Sequence, residues 1–179
     1  NPIDRELLLT EKRDKAREIL LERGIPGDSI DAVWALFNEN YFLRHRVHEI
    51  TWHTEWLTDS DPGSEIGLVD VRRRKTGDGI EAVLFTPREK RTFAHGTAVL
   101  DELGMTIVDA RIVSLDNDYS IVTLVFMEQD PRVESDERRI NKIRRALTRI
   151  LTAPSDKVLN VTRTVPRQAR MFTTNTTVD

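Results

Sequence analysis

The residues that could carry chemistry are few, and the four histidines come first. His45, His48 and His53 fall within nine residues. A zinc site would need its ligands on one helix face at i and i+4, or matched with partners elsewhere. His45 and His48 instead straddle a predicted helix start, and His53 lies five residues beyond His48, off its face. There is no HExxH and no His-Asp dipeptide, so the three read as surface or packing histidines and no metal ligand set is assigned. His95 falls in the first turn of another predicted helix and reads as solvent-facing. Nucleophilic triads need a serine or cysteine beside a base, and the chain has no cysteine and no GxSxG. The paired carboxylates Asp59 and Asp61 sit in a polar linker and read as solvated. No catalytic residue is assigned.

Two basic runs remain. Arg72-Arg73-Arg74-Lys75 leads into a hairpin tip, and Arg138, Arg139, Lys142, Arg144, Arg145 and Arg149 stud one predicted helix. They read as solvated faces and edge protection. The competing reading is RNA binding, because RNA-recognition domains share the topology derived below. The strand Tyr119 to Phe126 lacks that module's basic-Gly-aromatic opening, and a net charge of −3 with pI near 5.9 gives no general attraction to nucleic acid. A ligand loop is better motivated. Thr86 to Phe93 joins a strand to a helix, where backbone N–H groups at the helix start can hold a carboxylate. It lacks the glycines of a phosphate-binding loop.

The elements that position these residues follow from periodicity. Ile80 to Thr86 reads as a strand, Phe93 to Leu103 as a helix stopped by Gly104, and Thr106 to Leu115 and Tyr119 to Met127 as strands joined through Asp116-Asn117-Asp118. Ser135 to Leu151 reads as an amphipathic helix with Ile140, Ile143, Leu147 and Ile150 facing the core and Ser135 as cap. A strand after Pro166 would complete β-α-β-β-α-β, the ferredoxin-like arrangement, so the predicted class is α+β. Glu65 to Arg73 pairs with Ile80 to Thr86 as a hairpin through Thr76-Gly77-Asp78-Gly79, adding an edge strand at the N-terminal side.

Ahead of the sheet, Thr10 to Arg23, a segment capped by Asp28, and Arg46 to Leu57 read as helices, with Tyr41-Phe42-Leu43 as an aromatic link. The expected domains are a helical segment over 1–58, a linker over 59–64 and the sheet domain over 65–179. Both ends read as cut, which suggests a piece of a longer protein. No apolar run is long enough to span a bilayer, no signal-peptide pattern is present, and the absence of cysteine fits a reducing cytoplasm.

Two stretches resemble a known family. Tyr41-Phe42-Leu43-Arg44-His45 followed by Glu49-Ile50-Thr51-Trp52-His53-Thr54 resembles the join after the HD domain in bifunctional uridylyltransferase/uridylyl-removing enzymes, which act on the nitrogen-signalling protein PII. Phe93-Ala94, Leu100 with Gly104-Met105 and Ile107, and Asp109-Ala110-Arg111-Ile112 are similar to the helix and second strand of an ACT domain. The resemblance implies a C-terminal regulatory fragment: the end of the HD-side helical region, a first ACT domain, and a strand leading toward a truncated second one. It implies that the parent enzyme transfers UMP with magnesium and hydrolyses the product, while this chain, read as holding neither the Gly-Ser…Asp-x-Asp motif nor the His-Asp motif, is itself non-catalytic and needs no cofactor.

Glutamine or another amino acid is the implied effector, with the PII protein as partner through the parent enzyme. The family's loop runs Asp-x-Pro-Gly-Leu-Leu, where this chain has Arg88-Glu89-Lys90-Arg91-Thr92-Phe93. The implied effector site is Thr86, Arg88, Arg91 and Thr92, with Asp109 from the facing strand or from a partner. The alternative is an ACT-type dimerisation or docking module without a ligand, such as a homodimer.

Overall fold

Asn1 and Pro2 start the first helix. The Asn1 side chain accepts a hydrogen bond from the Ile3 amide at 3.1 Å and Pro2 takes the first helical position, where its missing N–H costs nothing. The computed structural model describes residues 1–60, 67–88 and 91–152. The described residues divide into two compact units: 1–60 with the turn 115–118, and the rest of 67–152.

The first unit holds four helices: α1 (Pro2–Glu22), α2 (Gly27–Trp34), α3 (Glu39–Arg44) and α4 (Val47–Thr58). Helix α1 thus begins eight residues earlier than periodicity suggests, because Ile3, Leu7 and Leu8 are exposed and mark no apolar face. Helix α2 starts at Gly27 with Pro26 as its cap residue, so Asp28 sits in the first turn and does not cap. The aromatic link Tyr41-Phe42-Leu43 is part of α3. Its start is fixed by the Asn38 side chain, which accepts from the Tyr41 amide at 3.0 Å.

Those aromatic residues build the unit's core. Phe37, Tyr41 and His45, spaced i, i+4 and i+8, stack with centroids 3.9 and 4.3 Å apart. Phe42 meets Trp34 edge-on at 5.2 Å, and the Trp34 indole N–H donates to the Thr54 hydroxyl at 2.9 Å. Ala16, Leu20, Ile30, Ile50 and Leu57 fill the space around them. Lys12 reaches from α1 to the end of α3, where its ammonium donates to the carbonyls of Phe42, Leu43 and His45 at 3.0, 3.1 and 2.9 Å. A helix end leaves such carbonyls without intrahelical partners, and a cation is favoured there.

The second unit is α+β and ferredoxin-like. Its elements are β1 (Leu68–Arg73), β2 (Ile80–Pro87), α5 (Thr92–Glu102), β3 (Met105–Ser114), β4 (Tyr119–Glu128) and α6 (Glu137–Thr152). The sheet is antiparallel in the order β1-β2-β4-β3. Strand β2 is central and all eight of its residues are buried, so neither of its faces meets solvent. The helix-side core joins Ile80, Ala82, Leu84, Val122, Leu124 and Phe126 to Leu100 of α5 and to Ile140, Ile143, Leu147 and Ile150 of α6, the four residues that periodicity placed there.

The β1–β2 hairpin turns on glycine. Gly79 has φ +104°, and a Cβ there would lie 2.9 Å from the Phe126 carbonyl oxygen. Strand β1 takes the place beside β2 that the closing strand occupies in a β-α-β-β-α-β unit, giving β-β-α-β-β-α over the described residues. The strand expected after Pro166 lies outside the described residues, as do residues 61–66 of the expected linker and strand start. Edge strand β1 is guarded by α6: Arg144 pairs with Asp70 at 3.2 Å and donates to the free Val71 carbonyl at 2.6 Å. Helix α6 is capped one residue later than expected. Asp136 accepts from the Arg139 amide at 2.9 Å, while the Ser135 hydroxyl donates to Glu128 at 3.2 Å.

Candidate functional site

The motif histidines are packing groups. Tyr41 is fully buried, its hydroxyl lies 2.6 Å from Nδ1 of His53, and its carbonyl lies 2.8 Å from Nδ1 of His45. The His45 and His53 rings meet edge-on at 5.3 Å. Both are committed to Tyr41, one through its hydroxyl and the other through its carbonyl and ring face. Among the described residues no three His, Cys, Asp or Glu side chains gather as metal ligands.

The ligand loop has more to offer. Thr86 lies near the end of β2 and Thr92 opens α5. Their hydroxyls are 2.9 Å apart, and both residues are buried. This bond ties the end of the strand to the start of the helix, so the chain between them is held at both ends. Arg88 and Arg91 are exposed on that connection, whose residues 89–90 lie outside the described set. Arg91 is the cap residue of α5, and among the described residues no side-chain cap bond is made there. The first helical bond runs from the His95 amide to the Arg91 carbonyl at 3.1 Å. The amides ahead of it, in the first turn, are the groups a helix start presents to an anion.

His95 is buried, contrary to the solvent-facing expectation. It is 4% exposed, and its Nε2 has no hydrogen-bond partner among the described residues. It follows Thr92 by three positions and so lies on the same side of α5. Burial, and secondarily the Arg91 cation, lower its pKa from the ordinary 6.5 of a histidine. The fold therefore favours the neutral ring, whereas the unfolded chain takes a proton near 6.5. Stability of the sheet unit is expected to be complete above that value and to fall as pH drops through it toward the lowered folded-state pKa. Hydrogen exchange of β2 and α5 measured from pH 7 to 5 should show this loss, and His95→Gln should remove its share. An unchanged slope in the variant would show that His95 does not titrate differently on folding.

Asp109 stands apart from the threonine pair. It lies opposite Val125 of β4, whereas Thr86 lies opposite Ser120. Five residues of β4 separate the two levels, about 17 Å along the sheet. Asp109 is exposed beside the bulge at Val108 on edge strand β3, 3.6 Å from Arg111. Within one chain the structure brings Thr86, Thr92 and the backbone of Arg91 together and leaves Asp109 at a distance. Sequence reasoning did not include His95 in this site. Its signal was the i, i+3 spacing from Thr92.

Comparisons with known proteins agree with the sequence resemblance. Residues 4–56, which cover nearly all of the helical unit, match the family described as "Uridylyltransferase GlnD fifth domain". Proteins named bifunctional uridylyltransferase/uridylyl-removing enzyme from Pseudomonas fluorescens and Pseudomonas putida are each 28% identical over 175 residues, which is 96% of this chain and 19% of theirs. The one from Pseudomonas syringae pv. syringae is also 28% identical, over 20% of its length. No solved structure matches. Across nearly its whole length the chain is similar to a segment of bifunctional uridylyltransferase/uridylyl-removing enzymes, and it spans about a fifth of the length of those relatives.

Proposed function

We propose that the chain is a regulatory segment of a PII-modifying uridylyltransferase/uridylyl-removing enzyme, with an ACT-type sheet unit that senses glutamine or a similar amino acid and is itself non-catalytic. The observation that carries this reading is the start of α5. There the Thr86–Thr92 hydroxyl pair, the first-turn amides of α5 and the buried imidazole of His95 lie together. Each suits one part of an amino acid: helix amides for the carboxylate, and threonine hydroxyls and imidazole for an amide side chain.

Arg88 and Arg91 add positive charge at the mouth. Asp109, at its distance along the sheet, would serve an ammonium group only from a second copy. Effector binding would act as a population shift, favouring one arrangement of the regulatory segment over another. Among the described residues no helix is long and apolar enough to cross a membrane, and a cytoplasmic setting suits the enzyme class the relatives are named for.

The test is a glutamine titration to millimolar concentration followed by amide NMR shifts. Localised shifts at Thr86, Arg88, Arg91, Thr92 and His95, weakened by Thr92→Val, are the expected result. Silence toward glutamine, glutamate and asparagine alike would leave the sheet as a ligand-free dimerisation or docking module.

A further inference from the structure

The basic residues of α6 fall into two sets. Arg139 and Arg144 turn inward to Glu128 and to Asp70. Arg138, Lys142, Arg145 and Arg149 are exposed and recur at i, i+4, i+7 and i+11, which places them in one line about 16 Å long. Among the described residues none of these four side chains enters an ion pair or hydrogen bond. After Glu137 the helix contains no acid at all. A helix face that merely meets solvent ordinarily interleaves both signs. Helix α1 does so, with Lys15 and Glu18 3.9 Å apart. Like charges a turn apart repel, and Arg138 also sits at the positive end of the helix dipole. The stripe stands out further in a chain of net charge −3. Beside it lies an open groove of about 450 Å³ lined by Arg144, Arg145, Thr148 and Arg149.

We propose that this face of α6 docks an acidic protein surface, namely a helix that presents carboxylates one turn apart along a single line. The spacing argues for a helix, because carboxylates at i, i+4, i+7 and i+11 repeat the spacing of the four cations. The same spacing lets each cation meet one carboxylate, and Arg145 and Arg149 at the groove can engage theirs bidentately. Single-stranded nucleic acid fits less well. No aromatic side chain lies among the stripe positions to stack a base, and the chain as a whole repels polyanions. The surface is independent of the α5 site, so either can fail alone.

Three probes test it by fluorescence anisotropy: an alanine-rich helical peptide with glutamates at i, i+4, i+7 and i+11, a peptide of equal composition with those glutamates scrambled around the helix, and poly(U) RNA. The striped peptide is expected to bind at least tenfold more tightly than the scrambled one and to weaken as salt rises from 50 to about 300 mM. Arg145→Glu with Arg149→Glu should abolish binding. Circular dichroism checks that the variant is folded. Equal binding of the striped and scrambled peptides, or tighter binding of poly(U) than of the stripe, overturns the proposal.

Discussion

Replacing Arg139 with methionine is expected to cost the sheet unit about 3 kcal/mol, the usual penalty for leaving one partner of a buried ion pair uncompensated. Both nitrogens of its fork meet the Glu128 carboxylate at 2.8 Å, and the guanidinium also donates to the Leu103 carbonyl, which closes α5. The side chains of Arg139 and Glu128 are only 16% and 9% exposed, so water cannot readily replace the lost partner. That hydrogen bonding raises the Arg139 pKa further, so the pair stays charged.

All three tryptophans, Trp34, Trp52 and Trp56, lie in the helical unit, so their fluorescence does not report on the sheet. Hydrogen exchange of β3, β4 and α6 is the suitable measurement. Glu128→Met added to Arg139→Met should recover part of the loss, since the double variant buries no orphan charge. A loss below about 1 kcal/mol, typical of an exposed pair, would mean that the bridge is solvated.

The second large effect is expected in the other unit, where Lys12→Met should lower stability by about 2 kcal/mol. Three carbonyls at the end of α3 share one ammonium, and charge-assisted bonds contribute about 1.5–3 kcal/mol each when dry. Lys12 is only half-buried, so water recovers part of that sum. Helix α3 is six residues long and could not hold its shape on propensity alone. Tryptophan fluorescence during urea unfolding is the direct measurement here, because Trp34 packs against Phe42. An unchanged midpoint would mean that water caps α3 as well as lysine does.

Lys12 also shows why the sequence revealed some elements and hid others. The stripe Ile140, Ile143, Leu147, Ile150 is local, regular and long, so it announced both the helix and its buried face. Helix α3 is too short to show a period. Its start rests on Asn38, three residues before Tyr41, and its end rests on a lysine thirty residues upstream of Phe42. Only the first of these signals is readable locally.

The candidate site divides in the same way. Thr86 and Thr92 could be named from their place between strand and helix, but the bond between them depends on how the connection folds back. The distance to Asp109 depends on the register of β3 against β4, which no periodicity reveals. The burial of His95 comes from packing around α5, which the residues of its first turn do not announce.

The position of β1 has a consequence for how fast the sheet can form. Its residues pair with β2 partners only seven to seventeen positions away, from Arg73↔Ile80 to Leu68↔Phe85. A strand supplied after α6 would have to close a loop of about seventy residues or more to reach the same edge of β2. The extra closure entropy would be about 1.5 kcal/mol, more than tenfold in rate if that pairing belongs to the transition state. By placing the outer strand first, the chain turns the most distant pairing of the ferredoxin-like sheet into a local hairpin, which lowers contact order. The four-stranded sheet can then nucleate from β1 and β2 without waiting for anything that follows α6.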